Sequence, residues 1–130
     1  MITALVWLIL LGFIAWLLWN YFRVRQAAQF VDNDTFKTLM PKGQLIDLRD
    51  GESFRRKHIL GARNFQAAQF KDSLSALRKD KPVLLYENAR GANTARSILT
   101  LKKAGFTDIY VLKDGFDYWD GKVKETKIKS

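Results

Sequence analysis

Residues 82–96 read Pro82-Val83-Leu84-Leu85-Tyr86-Glu87-Asn88-Ala89-Arg90-Gly91-Ala92-Asn93-Thr94-Ala95-Arg96. Val83 to Tyr86 is a short unbroken apolar run behind a proline, the pattern of a strand covered on both faces. From Gly91 to Lys103 apolar residues return at Ala95, Ile98 and Leu99, with Ala104 beyond, as one face of a helix that Gly105 terminates. A strand that empties through a small polar loop into a helix N-terminus is the repeating unit of a parallel α/β sheet. Such a loop turns backbone N–H groups inward, and the helix dipole makes the cradle favour an anion.

The flanking sequence repeats the alternation. Upstream, Asp32-Asn33-Asp34-Thr35 can cap a short helix from Thr35 to Met40, which Pro41 stops. Gln44 to Leu48 is a brief apolar strand with polar groups at its exit, Asp47-Leu48-Arg49. Gly51 to Arg56 reads as another short helix, and His58 to Phe65 as a turn into a second short strand. Gln69 to Arg78 is helical by the spacing of Phe70, Leu74 and Leu77. Downstream, Ile109 to Leu112 is a last strand and Gly115 to Trp119 a last helical turn. The order predicts a parallel sheet with helices on both faces.

The N-terminal segment has a different character. Met1 to Phe22 contains no Lys, Arg, Asp, Glu or His. A hydrocarbon core about 30 Å thick takes about 20 residues of helix, so Ile2 to Trp19, apolar except for Thr3 and Gly12, is long enough to cross it. Trp16, Trp19 and Tyr21 gather at the C-terminal end, and Arg23 and Arg25 come directly after. The organisation expected is a transmembrane anchor over 1–22, a juxtamembrane linker over 23–29, one domain over 30–121 and a basic, frayed tail over 122–130. A cleaved signal peptide is the competing reading, with Gln26-Ala27-Ala28-Gln29 as its small-residue stretch. A signal peptide places its basic residues before the apolar core, whereas here they lie after it. With Arg23, Arg25, Lys37 and Lys42 all C-terminal to the span, the positive-inside bias predicts a single-pass protein of the cell membrane with its domain in the cytoplasm.

The formal net charge is +9, carried entirely after Phe22, which favours contact with anionic surfaces. Lipid headgroups are the expected surface, since residues 2–22 already bind the bilayer. Nucleic acid is not expected, because the basic residues are interleaved with acids and no reading motif is present. Cysteine is absent, which removes disulfides, thiolate metal sites, persulfides and any thiol nucleophile. No metal or other cofactor is expected.

Asp47-Leu48-Arg49 with Phe54, His58-Ile59 and Gly61-Ala62-x-Asn64 resembles the first characteristic segment of the rhodanese family. Leu112-Lys113-Asp114-Gly115-Phe116-x-x-Trp119 is similar to the closing segment of that family. The resemblance runs from Phe30 to Gly121. It implies a five-stranded parallel sheet flanked by helices, with an active-site loop after the fourth strand, here Val83 to Tyr86. The family's loop begins with a catalytic Cys, passes through a Gly and ends in an Arg-Ser pair that opens a helix. Counting back from Gly105-Phe106 places Gly91 on that Gly, Asn93 on the Arg, Thr94 on the Ser and Glu87 on the Cys. The loop is one residue longer than usual, as in the related dual-specificity phosphatases of the cell cycle.

The resemblance therefore implies a candidate ligand-binding loop of Glu87, Asn88, Ala89, Arg90, Gly91, Ala92, Asn93 and Thr94, supported by Asp47, Arg49, His58 and Arg96. Glu87 either places its carboxylate in the cradle as an internal anion or points to solvent. Arg90 and Arg96 either line the cradle or are ordinary solvated charges. His58 takes a structural place in the motif, Asp47 and Arg49 look like an ion pair bracing the loops, and Phe116 and Trp119 look like core residues. No residue is assigned a catalytic role. The function expected is a catalytically inactive, membrane-anchored rhodanese-like module for a protein partner or small anion. The alternative is an enzyme that uses the cradle for non-thiol phosphoryl or acyl chemistry. A third reading is recruitment alone, the tail's Lys122, Lys124, Lys127 and Lys129 gripping anionic lipid.

Overall fold

The computed structural model of the chain describes residues 1–88 and 92–126, without the side chains of Ala67 and Ala92. Helix α1 (Ile2–Ala27) is followed by β1 (Gln29–Val31), α2 (Asn33–Leu39), β2 (Gln44–Asp47), α3 (Gly51–Arg56), β3 (Lys57–Ile59) and β4 (Arg63–Asn64). Then come β5 (Val83–Tyr86), α4 (Ala92–Lys103), β6 (Ile109–Leu112) and β7 (Val123–Glu125). Five strands form one sheet in the order β1-β6-β5-β2-β4; it is parallel, as the alternation of elements predicted, and has the five strands that the resemblance implied. The central strand, β5, pairs on both sides, Leu85 lying between Ile46 and Val111.

The period-two alternation of each strand divides the core into two layers. Ile46, Val83, Leu85, Ile109 and Val111 pack on one face with Ile98, Leu101, Phe70 and Leu77. Leu45, Leu84, Tyr86 and Leu112 pack on the other with Phe36, Ile59 and Ala62, and Phe116 and Trp119 lie against them. The Asp32 carboxylate caps α2 by accepting the Thr35 N–H at 2.9 Å, and the Asp50 carboxylate caps α3 by accepting from the Ser53 N–H at 3.2 Å and hydroxyl at 2.7 Å. Gly105, at φ +99°, closes α4, and Phe106 N–H then reaches back to the Leu101 carbonyl at 3.0 Å.

Three expectations need correction. The segment 23–29 is no linker: α1 continues to Ala27, and Val24, Ala27 and Ala28 are buried in the same layer as Ile98 and Leu101. Their i, i+3, i+4 spacing gives the helix a buried stripe after it leaves its apolar stretch. The tail does not fray from Lys122. Val123–Glu125 pairs antiparallel with Lys57–Ile59, and Leu60 and Thr126 N–H groups extend the ladder to the Lys122 and Arg56 carbonyls. Residues 127–130 lie outside the described residues. The helix expected over 69–78 is instead a pair of 3₁₀ segments, Ala67–Gln69 and Lys71–Ala76. Asp72, Ser73 and Ser75 are weak helix formers, and the Ser73 hydroxyl bonds the Gln69 carbonyl at 3.1 Å.

The apolar stretch of α1 is long enough to cross a bilayer and is not buried against the domain. A signal sequence has the same length and composition.

Candidate ligand-binding cleft

The exits of β2 and β5 lie side by side, because Asp47 and Tyr86 are register partners. The segments leaving the two strands therefore meet at one edge of the sheet. From β2 come Leu48, Arg49 and Asp50; from β5 come Glu87 and Asn88; the first turn of α4 adds Asn93. These six residues line a cleft of about 420 Å³. Of the loop predicted from the sequence, Ala89, Arg90 and Gly91 lie outside the described residues.

A buried ion pair builds the floor. Asp47 is wholly buried, and its carboxylate accepts from Arg49 Nε at 3.1 and 3.2 Å, from Nη2 at 2.9 Å and from the Arg49 backbone N–H at 2.7 Å. The guanidinium also donates to the Lys57 carbonyl and, through Nη1, to Asn88 Oδ1 at 3.2 Å. Its carbon lies 4.2 Å from the centroid of the Phe116 ring. A charge this enclosed is tolerated because almost every donor has a partner. Asn64 holds the turn from beneath, donating to the Asp47 and Arg49 carbonyls at 3.1 and 2.8 Å.

The closing segment clamps the other wall. Gly115, at φ +79°, turns the chain so that Phe116 N–H donates to the Glu87 carbonyl at 2.7 Å and Asp117 N–H to the Asn88 carbonyl at 3.1 Å. Phe116 also stacks on Tyr86, centroids 5.7 Å apart. The Tyr86 hydroxyl accepts the Ile59 N–H at 3.1 Å. Burial, and then the Asp47 carboxylate, push the Tyr86 phenol well above its ordinary range, so it stays neutral.

Glu87 turns inward. Its Oε1 is buried and has no hydrogen-bond partner among the described residues. Burial pushes its carboxyl above the usual carboxylate range, while the Thr94 hydroxyl and amide and the Arg96 charge pull the other way. Of the supporting residues, Arg49 lines the cleft and Asp47 fixes it. Arg96 is exposed on α4, and Thr94 is buried. His58 stands apart from the cleft lining. Its ring stacks on Phe54 at 3.9 Å, and Nδ1 lies 2.7 Å from the Phe54 carbonyl, which can only accept, so Nδ1 carries the proton.

Sequence reasoning had not named Leu48 and Asp50 as lining residues, nor Phe116 as the ring over the guanidinium. The Asp50-Gly51-x-Ser53 cap was a readable signal for Asp50. The position of Phe116 depends on the turn at Gly115 and was not readable. Among the described residues no three His, Asp or Glu side chains gather to hold a metal ion.

Comparison with known proteins agrees with this architecture. The profile of the Rhodanese-like domain family matches residues 32–122. The protein YqhL of Bacillus subtilis is 38% identical over 128 residues, 98% of this chain and 100% of YqhL. The thiosulfate sulfurtransferase GlpE of Pseudomonas aeruginosa is 30% identical over 98 residues, 67% of this chain and 86% of GlpE. Among solved structures, the rhodanese-like domain of the Anabaena protein Alr3790 superposes with a TM-score of 0.67 at 24% identity, covering 75% of this chain and 79% of that one. A full-length protein of Lactobacillus plantarum has a TM-score of 0.67 at 20% identity, covering 88% and 98%.

Proposed function

We propose, from the premise that this chain belongs to the rhodanese-like domain family, that it is a catalytically inactive member acting as a binding module at the cytoplasmic face of a membrane. Residues 2–22 cross the bilayer, and the positive residues C-terminal to them hold the domain on the cytoplasmic side. The cleft at the β2 and β5 exits receives a group from a partner protein or a small anion.

One observation carries the reading: where the resemblance puts a nucleophilic sulfur, the strand exit carries Glu87, its Oε1 buried and unpaired among the described residues, in a sequence without cysteine. The Thr94 hydroxyl and amide engage the carboxyl, and Oε1 alone is left without a donor among the described residues. When ionised it favours a Lys, Arg or amide group of a partner. When protonated it can itself donate to an anion. The other carboxylate of the cleft, Asp50, is taken up by the Ser53 hydroxyl and N–H, which hold it below its ordinary range. It is a helix cap and not a free acid or base beside Glu87, which weighs against phosphoryl or acyl chemistry.

The test is sulfur transfer by the wild-type chain, reconstituted in lipid nanodiscs and given thiosulfate and cyanide. Thiocyanate formation is expected to equal that of a heat-denatured control. Turnover above that control overturns the reading.

A further inference from the structure

We infer that the cleft between the end of α1 and the C-terminal half of α4 binds the headgroup phosphate of an anionic phospholipid from the bilayer that α1 enters. This rests on the membrane-anchor part of the proposed function and is independent of Glu87.

Arg23, Leu99, Thr100, Lys102 and Lys103 line this cleft, whose volume is about 400 Å³. Across α1, a smaller groove is lined by Leu17, Asn20, Tyr21 and Arg25 with Thr94 and Ala95. Both ends of α4 therefore lie beside the same last turns of α1. Arg23 is the first charged side chain after the apolar run, so this level is that of the headgroups.

The charge is one-sided. Neither α1 nor α4 contains an Asp or Glu. Among the described residues, Arg23, Lys102 and Lys103 make no ion pair, as is true of most cations of the domain, so no carboxylate cancels their charge at this cleft. The C-terminus of α4 contributes the equivalent of about half a negative charge, which Arg23, Lys102 and Lys103 together outweigh. The Thr100 hydroxyl donates to the Arg96 carbonyl at 2.9 Å, so its proton is not free for a phosphate. The cleft thus offers charge and little directed hydrogen bonding, and it selects anionic over zwitterionic lipid without selecting one headgroup.

The full chain in nanodiscs of equal phosphatidylglycerol and phosphatidylcholine is released gently, and retained lipid is read by native mass spectrometry. Each cation near an anionic surface is worth about fivefold, so phosphatidylglycerol is expected to be enriched by on the order of a hundredfold when Arg23, Lys102 and Lys103 all act. The R23Q/K102Q/K103Q variant loses the enrichment, and a K122Q/K124Q variant keeps it. Equal retention of both lipids by wild type overturns the inference while leaving the anchor intact, as does loss of enrichment in the tail variant alone. Chains in phosphatidylcholine discs that hold millimolar inorganic phosphate as firmly as phosphatidylglycerol also overturn it, because the cleft is then a free-phosphate site. A chain that never enters the discs overturns both the inference and the anchor.

Discussion

Glu87→Gln should make the protein more stable at neutral pH. The substitution keeps the side chain's shape and removes a charge whose Oε1 is buried without a donor among the described residues. Gln keeps an acceptor at this place, so the gain is the desolvation cost of the charge, partly offset by the Thr94 hydroxyl and amide bonds that the carboxylate accepts, about 1 kcal/mol for a partly enclosed group. The pH dependence comes from burial raising the folded-state pKa above the unfolded one. The folded state then holds its proton more tightly. The contribution of the neutral carboxyl is fully present below the unfolded pKa and is lost as pH rises through the folded pKa. Gln does not titrate there, so the gap between variant and wild type is largest at pH 7 and closes below about pH 4, near the ordinary pKa of Glu. Other carboxylates titrate in both proteins and cancel in the difference. Thermal unfolding of the full chain in detergent, followed by circular dichroism at both pH values, measures it. A domain of about 100 residues shifts by about 4–8 °C per kcal/mol, so the pH 7 gap should be readily resolved. A Gln variant no more stable than wild type at pH 7, or a gap that persists unchanged at pH 4, refutes the inward, desolvated carboxylate.

Asp47→Ala leaves the Arg49 guanidinium buried without its carboxylate and should cost about 3–5 kcal/mol in a urea titration, a large share of a small domain's stability; a loss below about 1 kcal/mol contradicts the bracing role. Ala27→Asp puts a charge into the layer shared by α1 and α4 and should destabilise the domain by at least about 3 kcal/mol, read as rapid proteolysis of the region after α1. A neutral outcome there would mean that the end of α1 is a solvated linker after all.

How much was readable before the fold was known depended on whether the signal was local. Val83–Tyr86, Ile109–Leu112 and Gly51–Arg56 stand where the sequence put them, because an apolar run or a capping pattern lies wholly within each element. The Val24, Ala27, Ala28 stripe was local too, but the polar Gln26 and Gln29 around it read as the end of a helix. Pairing of Val123–Glu125 with Lys57–Ile59 joins segments far apart in the chain, and only Val123 among the tail strand's residues is apolar. At the cleft, the residue types were legible through the family resemblance, whereas the inward turn of Glu87 was not. That turn depends on Phe116 and Asp117 N–H groups seizing the Glu87 and Asn88 carbonyls, a tertiary contact that no local pattern announces.

The central claim is that Glu87 stands at the strand exit where the resemblance places the nucleophilic sulfur. Glu87→Cys tests it most directly: the full chain in nanodiscs is treated with thiosulfate, and its intact mass is measured under non-reducing conditions. The account predicts that the new thiolate attacks the outer sulfur of thiosulfate, whose S–S bond breaks to release sulfite, and gains one sulfur atom as a persulfide, with wild type unchanged. A folded Glu87→Cys chain whose thiol stays as unmodified as an exposed control cysteine placed elsewhere contradicts it.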